Sequence, residues 1–142
     1  MPSTAGAVAD IGAGHGALSA CLRLHVDRVI ATEVADGPYN ELCRNLSRWG
    51  ANDVDVRRGH GLDPLQPGEV DVVVVAGMGA HTMLAISESA PQKSLHTLIL
   101  QCMQRSELVE PWLAARAWRV IARADVADGG RVYPSWLVRA SP

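Results

Sequence analysis

The order of hydrophobic and polar residues along the 142-residue chain predicts strands that alternate with helices. Five apolar runs have the length and composition of strands: one ending at Asp10, then residues 27–33, 54–57, 70–76 and 97–101. Helical patterns lie at residues 17 to about 25, 37 to about 49, 80–89 and about 108–118. In the second of these, Leu42, Leu46 and Trp49 mark the predicted inner face, and Trp118 falls in the last. This alternation predicts a doubly wound parallel sheet.

The end of the chain adds a second kind of pairing. Residues 119–126 and 131–139 flank Asp128-Gly129-Gly130, a strong hairpin signal. A hairpin here adds one antiparallel strand to an otherwise parallel sheet. The expected fold is therefore α/β and Rossmann-like, with seven strands, mostly parallel, as in class I methyltransferases. By its length the chain is expected to form a single domain over residues 1–142.

Composition and charge exclude several classes of protein. Hydrophobic residues make up 48% of the chain, charged residues 20%, and the net charge of −2 shows no bulk basicity. No apolar run approaches a membrane span, and no signal pattern precedes residue 7, so we expect a soluble, cytoplasmic protein with no membrane partner. Cys21, Cys43 and Cys102 form no C-x-x-C pair and are expected to be small core residues. The histidines are too scattered to predict a metal site.

The stretch with the clearest chemistry follows the first strand. After Asp10, glycines alternate at positions 12, 14 and 16, and a helix is predicted to begin at about His15 or Gly16. Glycine lets a ligand approach the backbone closely, which a Cβ would prevent. A glycine turn between a strand and a helix, at the carboxyl end of a parallel strand, is typical of a nucleotide-type ligand site.

The glycine motif leaves the ligand open between two cofactors, and also allows a turn with no ligand. Gly12, Gly14 and Ala17 satisfy the permissive dinucleotide pattern G-x-G-x-x-G/A. Asp10, however, favours S-adenosylmethionine, because a carboxylate suits a sulfonium and is a poor neighbour for a pyrophosphate. Glu33 ends the second strand at a spacing that suits a ribose ligand in either cofactor.

Motifs along residues 7 to about 135 resemble the bacterial tRNA (adenine-22-N1)-methyltransferases, the TrmK family. The resemblance is carried by Ala9-Asp10-Ile11-Gly12 with His15, by Glu33-Val34 with Gly37-Pro38, by Arg57, Gly59, Gly61 and Leu62, by Ala76-Gly77-Met78-Gly79, by Leu98-Ile99-Leu100-Gln101, by Trp112-Leu113, and by Asp128-Gly129 with Tyr133. The combination of A-G-M-G with E-x-x-x-G-P is specific, whereas the glycine loop alone is not.

The chain departs from this family at positions that matter for catalysis. An Asp thought to serve at the catalytic centre precedes the family's His, and Gly14 stands there in this chain. The acidic residue of the family's third turn is His60, and Cys102 and Pro134 replace a Pro and a Glu. The sequence also shows no counterpart of the family's helical C-terminal extension, which helps to hold tRNA. We therefore expect cofactor binding to carry over better than catalysis and tRNA binding.

The resemblance implies an S-adenosylmethionine-dependent methyltransferase that acts on adenine N1 of tRNA and releases S-adenosylhomocysteine. The cofactor-binding residues it implies are Asp10, Gly12, Gly14, Glu33, Val34, Gly59, His60, Gly61, Ala76, Gly77 and Met78, with His15 as the catalytic candidate. Two alternatives stay open: a methyltransferase for a small molecule or protein, and a cofactor-binding module without catalysis. The sequence leaves the oligomeric state open.

Overall fold

The computed structural model describes residues 6–142, so the predicted lead-in over residues 1–5 lies outside the described part. In that part the chain forms seven strands and four helices. The strands are β1 (Ala7–Ile11), β2 (Arg28–Glu33), β3 (Asp55–Arg58), β4 (Val72–Met78), β5 (Thr97–Cys102), β6 (Trp118–Asp128) and β7 (Arg131–Ala140). The helices are α1 (Ala17–Leu22), α2 (Asp36–Arg48), α3 (Ala80–Ser87) and α4 (Val109–Ala115).

The seven strands form one sheet in the order β3-β2-β1-β4-β5-β7-β6. Strands β1 to β5 pair in parallel, and β7 runs antiparallel to both β5 and β6. The predicted fold class is confirmed, including the single antiparallel strand. The strand order reverses between β1 and β4, and the carboxyl ends of strands at such a switch point form the usual ligand crevice.

Hydrophobic clusters cover both faces of the central strands. Val8 of β1 and Val74 of β4 belong to one cluster, together with Leu42 of α2. Ala9 and Val73, the next residues along the same strands, belong to the other cluster, which includes residues of α3 and α4. Neighbouring residues of a strand point to opposite faces. The continuous apolar runs of β1 and β4 therefore reflect burial on both sides.

Three details of the helices differ from the sequence prediction. Helix α1 ends at Leu22 rather than near His25. Trp49, predicted on the inner face of α2, is the residue that follows the helix, and it is 44% exposed. Trp118 is the buried first residue of β6 rather than part of a helix, because Ala117 adopts a φ of 58°, which ends the helical path.

The cysteines also differ from the prediction that each packs in the core. Cys102 is buried and Cys43 is half-buried, but Cys21 is exposed. Cys21 lies on α1, whose six residues bury only Ser19 and Leu22. A helix of less than two turns has too narrow an inner face to bury every apolar residue that it carries.

An ion-pair network holds the segment between β3 and β4 against the edge of the sheet. Arg57 Nη2 donates to Glu69 Oε1 at 2.5 Å and Nη1 donates to Glu69 Oε2 at 2.8 Å, a bidentate pair. Arg57 also donates to Asp55, and Arg28 donates to both carboxylates. Hydrogen bonds from Arg57 lower the pKa of Glu69 to about 2. The anchored segment includes His60.

Replacing Glu69 by Gln tests this anchor through its pH dependence. The folded pKa of Glu69 lies below its ordinary value of 4.5, so its contribution to stability is present above about pH 4.5 and is lost as the pH falls towards 2. We expect Glu69→Gln to lower the free energy of unfolding by roughly 1–2 kcal/mol at neutral pH. In urea unfolding, the difference from the wild type should shrink as the pH is lowered.

Glu41→Gln provides the control, because Glu41 is an exposed carboxylate on α2, far along the chain from the network. It should change the free energy of unfolding little at any pH. A Glu69→Gln difference that stays constant down to about pH 2 would contradict the proposed role of the ion pairs.

Candidate functional site

The carboxyl group of Asp10 is buried near the end of β1, with 3% of the residue exposed. Ser19 of α1 donates a hydrogen bond from Oγ to Asp10 Oδ2 at 2.7 Å. Burial is the main cause that raises the pKa of Asp10 to about 6; the bond from Ser19 opposes the shift and the charge of Glu33 adds to it. No cation is among the causes within residues 6–142. Carboxyl groups with such raised pKa values cluster at functional sites.

The glycine turn is packed on one side and open on the other. Gly12 has a φ of 65°, which favours glycine, and the Met78 methyl group packs where a Cβ of residue 12 would lie. Gly14 has a φ of 59°, and a Cβ there would meet no heavy atom within 4 Å. The Ala13 N–H donates to the carbonyl of Thr32 at 2.9 Å, which fixes the turn to β2.

The carboxylate of Glu33 is oriented by two backbone N–H groups. Gly14 donates to Oε1 at 3.2 Å, and Val34 donates to Oε2 at 3.1 Å. An ionised carboxylate offers about four acceptor positions, so each oxygen keeps one for another donor. Glu33 is therefore held in place with the capacity to accept hydroxyl groups of a ligand.

A cavity of about 140 Å³ opens beside Glu33 at the carboxyl edge of the sheet. Seven of the residues predicted from sequence line it: Gly12, Glu33, Val34, Gly59, His60, Gly61 and Met78. Four further lining residues were missed: Ile11, Thr32, Thr82 and Ile86. Ile11 and Thr32 directly precede predicted residues. Thr82 and Ile86 lie four residues apart on α3 and so share one helix face, a spacing that the sequence does offer as a signal.

The other predicted residues lie outside the lining of this cavity. They are Asp10, Gly14, His15, Ala76 and Gly77. Asp10 and Gly14 still influence the site. The carboxyl group of Asp10 lies close enough to Glu33 for their charges to interact, and the Gly14 N–H orients the Glu33 carboxylate. His15 is exposed, and its backbone carbonyl accepts a hydrogen bond from Asn45 Nδ2 at 2.9 Å. This hydrogen bond joins the glycine turn to α2.

Gln101 braces the turn that follows β4, a role that the sequence analysis missed. Its Oε1 accepts a hydrogen bond from the Gly77 N–H at 2.9 Å. The Met103 N–H donates to the carbonyl of Met78 at 2.8 Å, so the chain after β5 is joined to the same turn. The pairing of β4 with β5 shifts register between Ala76 and Met78. A side chain that bonds a bulged neighbouring strand follows no periodic pattern, and the sequence gives no signal for it.

Within residues 6–142, no three His, Cys, Asp or Glu side chains are grouped so that they could hold a metal ion. None of the helices described there is both long and apolar enough to cross a membrane. The polar groups that the site presents are carboxylates, backbone N–H groups, two threonine hydroxyls and the imidazole of His60.

A doubly wound sheet with a glycine turn and two carboxyl groups at its switch point defines a Rossmann-like fold, in which ligands bind at this crevice. The chain belongs to the methyltransferase domain family, whose model matches residues 1–135. The tRNA (adenine(22)-N(1))-methyltransferase of Bacillus subtilis strain 168 is 33% identical over 138 residues, which cover 94% of this chain and 58% of that protein. The resemblance predicted from the motifs is thus confirmed.

Solved structures agree with this assignment. The crystal structure of the Bacillus subtilis M1A22 tRNA methyltransferase TrmK matches with a TM-score of 0.86 and 30% identity, covering 99% of this chain and 62% of that one. Streptococcus pneumoniae Sp1610, a candidate tRNA (m1A22) methyltransferase in complex with S-adenosyl-L-methionine, matches with a TM-score of 0.86 and 27% identity, covering 98% of this chain and 68% of that one. The chain spans about three fifths of the length of the Bacillus relative.

Replacing Asp10 by Asn tests whether the buried carboxylate weakens the fold. The folded pKa of about 6 lies above the ordinary 3.8, so ionisation between these values costs stability, and stability falls as the pH rises through this window. Asparagine keeps an acceptor for Ser19 but cannot ionise. We expect Asp10→Asn to raise the free energy of unfolding by roughly 1–3 kcal/mol above pH 7, with no gain near pH 4.

Urea unfolding at a series of pH values measures this effect, with Asp27→Asn as the control at an exposed carboxylate. The free energy of unfolding of Asp27→Asn should not rise relative to the wild type as the pH increases through this range. An Asp10→Asn protein that is less stable than the wild type above pH 7 would show that the ionised carboxylate is instead favourable.

Proposed function

We propose that this chain is an S-adenosylmethionine-dependent methyltransferase that acts on the N1 atom of an adenine in tRNA. The observation that carries the proposal is the carboxylate of Glu33, held by the N–H groups of Gly14 and Val34 beside a cavity at the switch point. An acidic residue in this position of a Rossmann-like fold binds the hydroxyls of a ribose. The relatives from Bacillus subtilis and Streptococcus pneumoniae support the choice of cofactor and substrate.

The residues present fit this cofactor better than a dinucleotide. Ile11, Val34 and Ile86 give the cavity apolar walls suited to an adenine ring. No cation within residues 6–142 lowers the pKa of Asp10, so a ligand with a positive sulfonium would relieve its unfavourable burial. The pyrophosphate of a dinucleotide would instead lie near the negative charge of Asp10.

The main contribution of the protein to the proposed reaction is to position the two reactants. S-adenosylmethionine supplies a methyl group on a positively charged sulfur, ready for in-line displacement. The N1 atom of adenine has a free lone pair, so no base must first remove a proton. Holding two reactants in line and away from water can provide about 7–11 kcal/mol. We assign this positioning to the turn of Gly77 and Met78, which Gln101 braces from β5.

Gly14 is the position at which catalysis in this chain departs from the family that it resembles. The methylated adenine carries a positive charge, which a nearby carboxylate would stabilise as it develops. His15 follows Gly14 and is exposed at the same turn, which keeps it as the catalytic candidate. The activity is therefore proposed to depend mainly on positioning, with less electrostatic help than the family's Asp would give.

Titration calorimetry with S-adenosylmethionine, S-adenosylhomocysteine and NAD tests the cofactor assignment. We expect micromolar binding of the first two and none of NAD. Glu33→Gln should weaken the binding of both by about tenfold or more, because an amide oxygen accepts ribose hydroxyls less strongly than a carboxylate. Glu41→Gln, an exposed change of the same kind on α2, should bind as the wild type does. Binding of neither sulfur compound would refute the methyltransferase assignment.

Replacing Gly14 by Asp tests the electrostatic part of the proposal. A side chain fits there because a Cβ meets nothing within 4 Å, and Asp and Asn tolerate a φ of 59° better than other residues. We expect Gly14→Asp to raise kcat for transfer of a labelled methyl group to bulk tRNA several-fold above that of Gly14→Asn. Equal rates for the two variants would contradict a role for a carboxylate at this position.

The same methyl-transfer assay distinguishes a tRNA methyltransferase from the two alternatives, a methyltransferase for another acceptor and a binding module without catalysis. Methyl transfer to a protein or small-molecule fraction, with none to tRNA, would favour a different acceptor. Cofactor binding without transfer to any fraction would favour a binding module.

A further inference from the structure

A second cavity, of about 330 Å³, lies at the same edge of the sheet as the cofactor cavity. Its walls come from residues 102–107, which follow β5, and from residues 131–134, which begin β7. Because β7 runs antiparallel to β5, its first residues project beyond the carboxyl end of β5. The hairpin of β6 and β7 therefore forms one wall of a space beside the turn at Met78.

Two residues that line this second cavity, Met103 and Gln104, are joined to the turn at Met78 by backbone hydrogen bonds. The Met103 N–H donates to the carbonyl of Met78 at 2.8 Å, and the Ala80 N–H donates to the carbonyl of Gln104 at 2.9 Å. Met78 also lines the cofactor cavity. A molecule bound in the second cavity would thus be held at a set distance from the cofactor cavity, as positioning of an acceptor requires.

The backbone of the lining segment 102–107 is strained at Arg105. Arg105 has a φ of 59°, a left-handed conformation that costs a residue other than glycine about 1 kcal/mol. This turn leads into a 3₁₀ helix of one turn, Ser106–Leu108, where the Leu108 N–H donates a hydrogen bond to the Arg105 carbonyl. Strain of this kind is concentrated at ligand sites.

The chemistry of the lining suits a nucleotide of an RNA strand. The guanidinium of Arg105 is paired with Glu107 at 2.6 Å. Arg131 is exposed and forms none of the ion pairs found within residues 6–142, so its charge is available to a phosphate. Tyr133 is half-buried and lines the cavity, and unpaired RNA bases commonly stack on aromatic side chains. A volume of about 330 Å³ falls within the roughly 300–1,000 Å³ of small-molecule sites.

We propose that this second cavity holds the acceptor strand at the target nucleotide, with Arg131 binding a backbone phosphate and Tyr133 contacting a base. The inference rests on the proposed tRNA methyltransferase function and assigns the substrate side of the same site. The target adenine then meets the cofactor beside the Met78 segment, because in-line transfer requires its N1 atom to be in contact with the methyl group. Arg131 acts by positioning the strand and touches neither the cofactor nor the reacting atoms.

Arg131→Ala tests the assignment, with Arg139→Ala as its matched control. Both arginines are exposed on β7, but Arg139 lies at the opposite end of the strand, paired with Thr97 at the start of β5. The probe is fluorescently labelled tRNA transcript, titrated over a range of KCl concentrations. Losing one phosphate contact should weaken binding about fivefold at physiological salt and reduce the slope of log K against log salt by about 0.9.

The expected pattern is specific to a phosphate contact. Arg131→Ala should weaken tRNA binding and raise KM for tRNA, Arg131→Lys should recover most of the loss, and calorimetric affinity for S-adenosylmethionine should stay unchanged in both. Arg139→Ala should leave tRNA binding as in the wild type. Equal tRNA affinities for Arg131→Ala and Arg139→Ala would overturn the assignment of the cavity.

The results that would contradict the proposed tRNA methyltransferase function differ from those that would contradict only this inference. If the wild type binds S-adenosylmethionine but neither binds nor methylates tRNA, the tRNA assignment falls and this inference falls with it. If the wild type methylates tRNA and the two alanine variants behave alike, only the inference is wrong. Thermal unfolding of each variant confirms that any loss is not a loss of fold.

Discussion

Burial of strands β1 and β4 on both faces is the constraint on which the rest of this structure depends. A residue such as Val73 or Ala9, covered by helices on its own side and by the sheet on the other, cannot be polar without losing hydrogen bonds to water. Charged and hydrogen-bonding groups are therefore confined to the ends of these strands. Because parallel strands end at one edge, Glu33, the glycine turn and the turn at Met78 come together there.

Asp10 is a buried carboxyl group one residue before the end of β1. Ser19 donates a hydrogen bond to it, and burial raises its pKa to about 6, which implies a loss of stability at neutral pH. Selection for stability alone would replace such a group with an apolar or amide side chain. A buried carboxyl group beside the glycine turn is what we expect if, as proposed above, a ligand with a positive charge offsets this cost.

The strands and the order of elements could be predicted from the sequence because they depend on local periodicity and on turn residues. The motif glycines, Glu33 and Met78 could be found because each ends a predicted strand or lies in the turn that follows one. The spacing of Thr82 and Ile86 places them on one face of α3, but assigning them to the cavity requires knowing that this face meets the sheet edge. Gln101 escaped prediction for a related reason: its bond to the Gly77 N–H joins two strands that lie 24 residues apart along the chain.

The braced turn at Met78 contacts both parts of the proposed site. The Met78 methyl group packs where a Cβ of residue 12 would lie, and the φ of 65° at Gly12 favours glycine there. The Met103 N–H donates to the Met78 carbonyl and the Ala80 N–H donates to the Gln104 carbonyl, so backbone hydrogen bonds join the walls of the two cavities. Methyl transfer between two bound molecules depends on their separation rather than on strong acid or base groups. In the proposed reaction, the braced turn at Met78 therefore serves positioning first, and a charge that assists catalysis can be added at Gly14, where a Cβ meets no heavy atom within 4 Å.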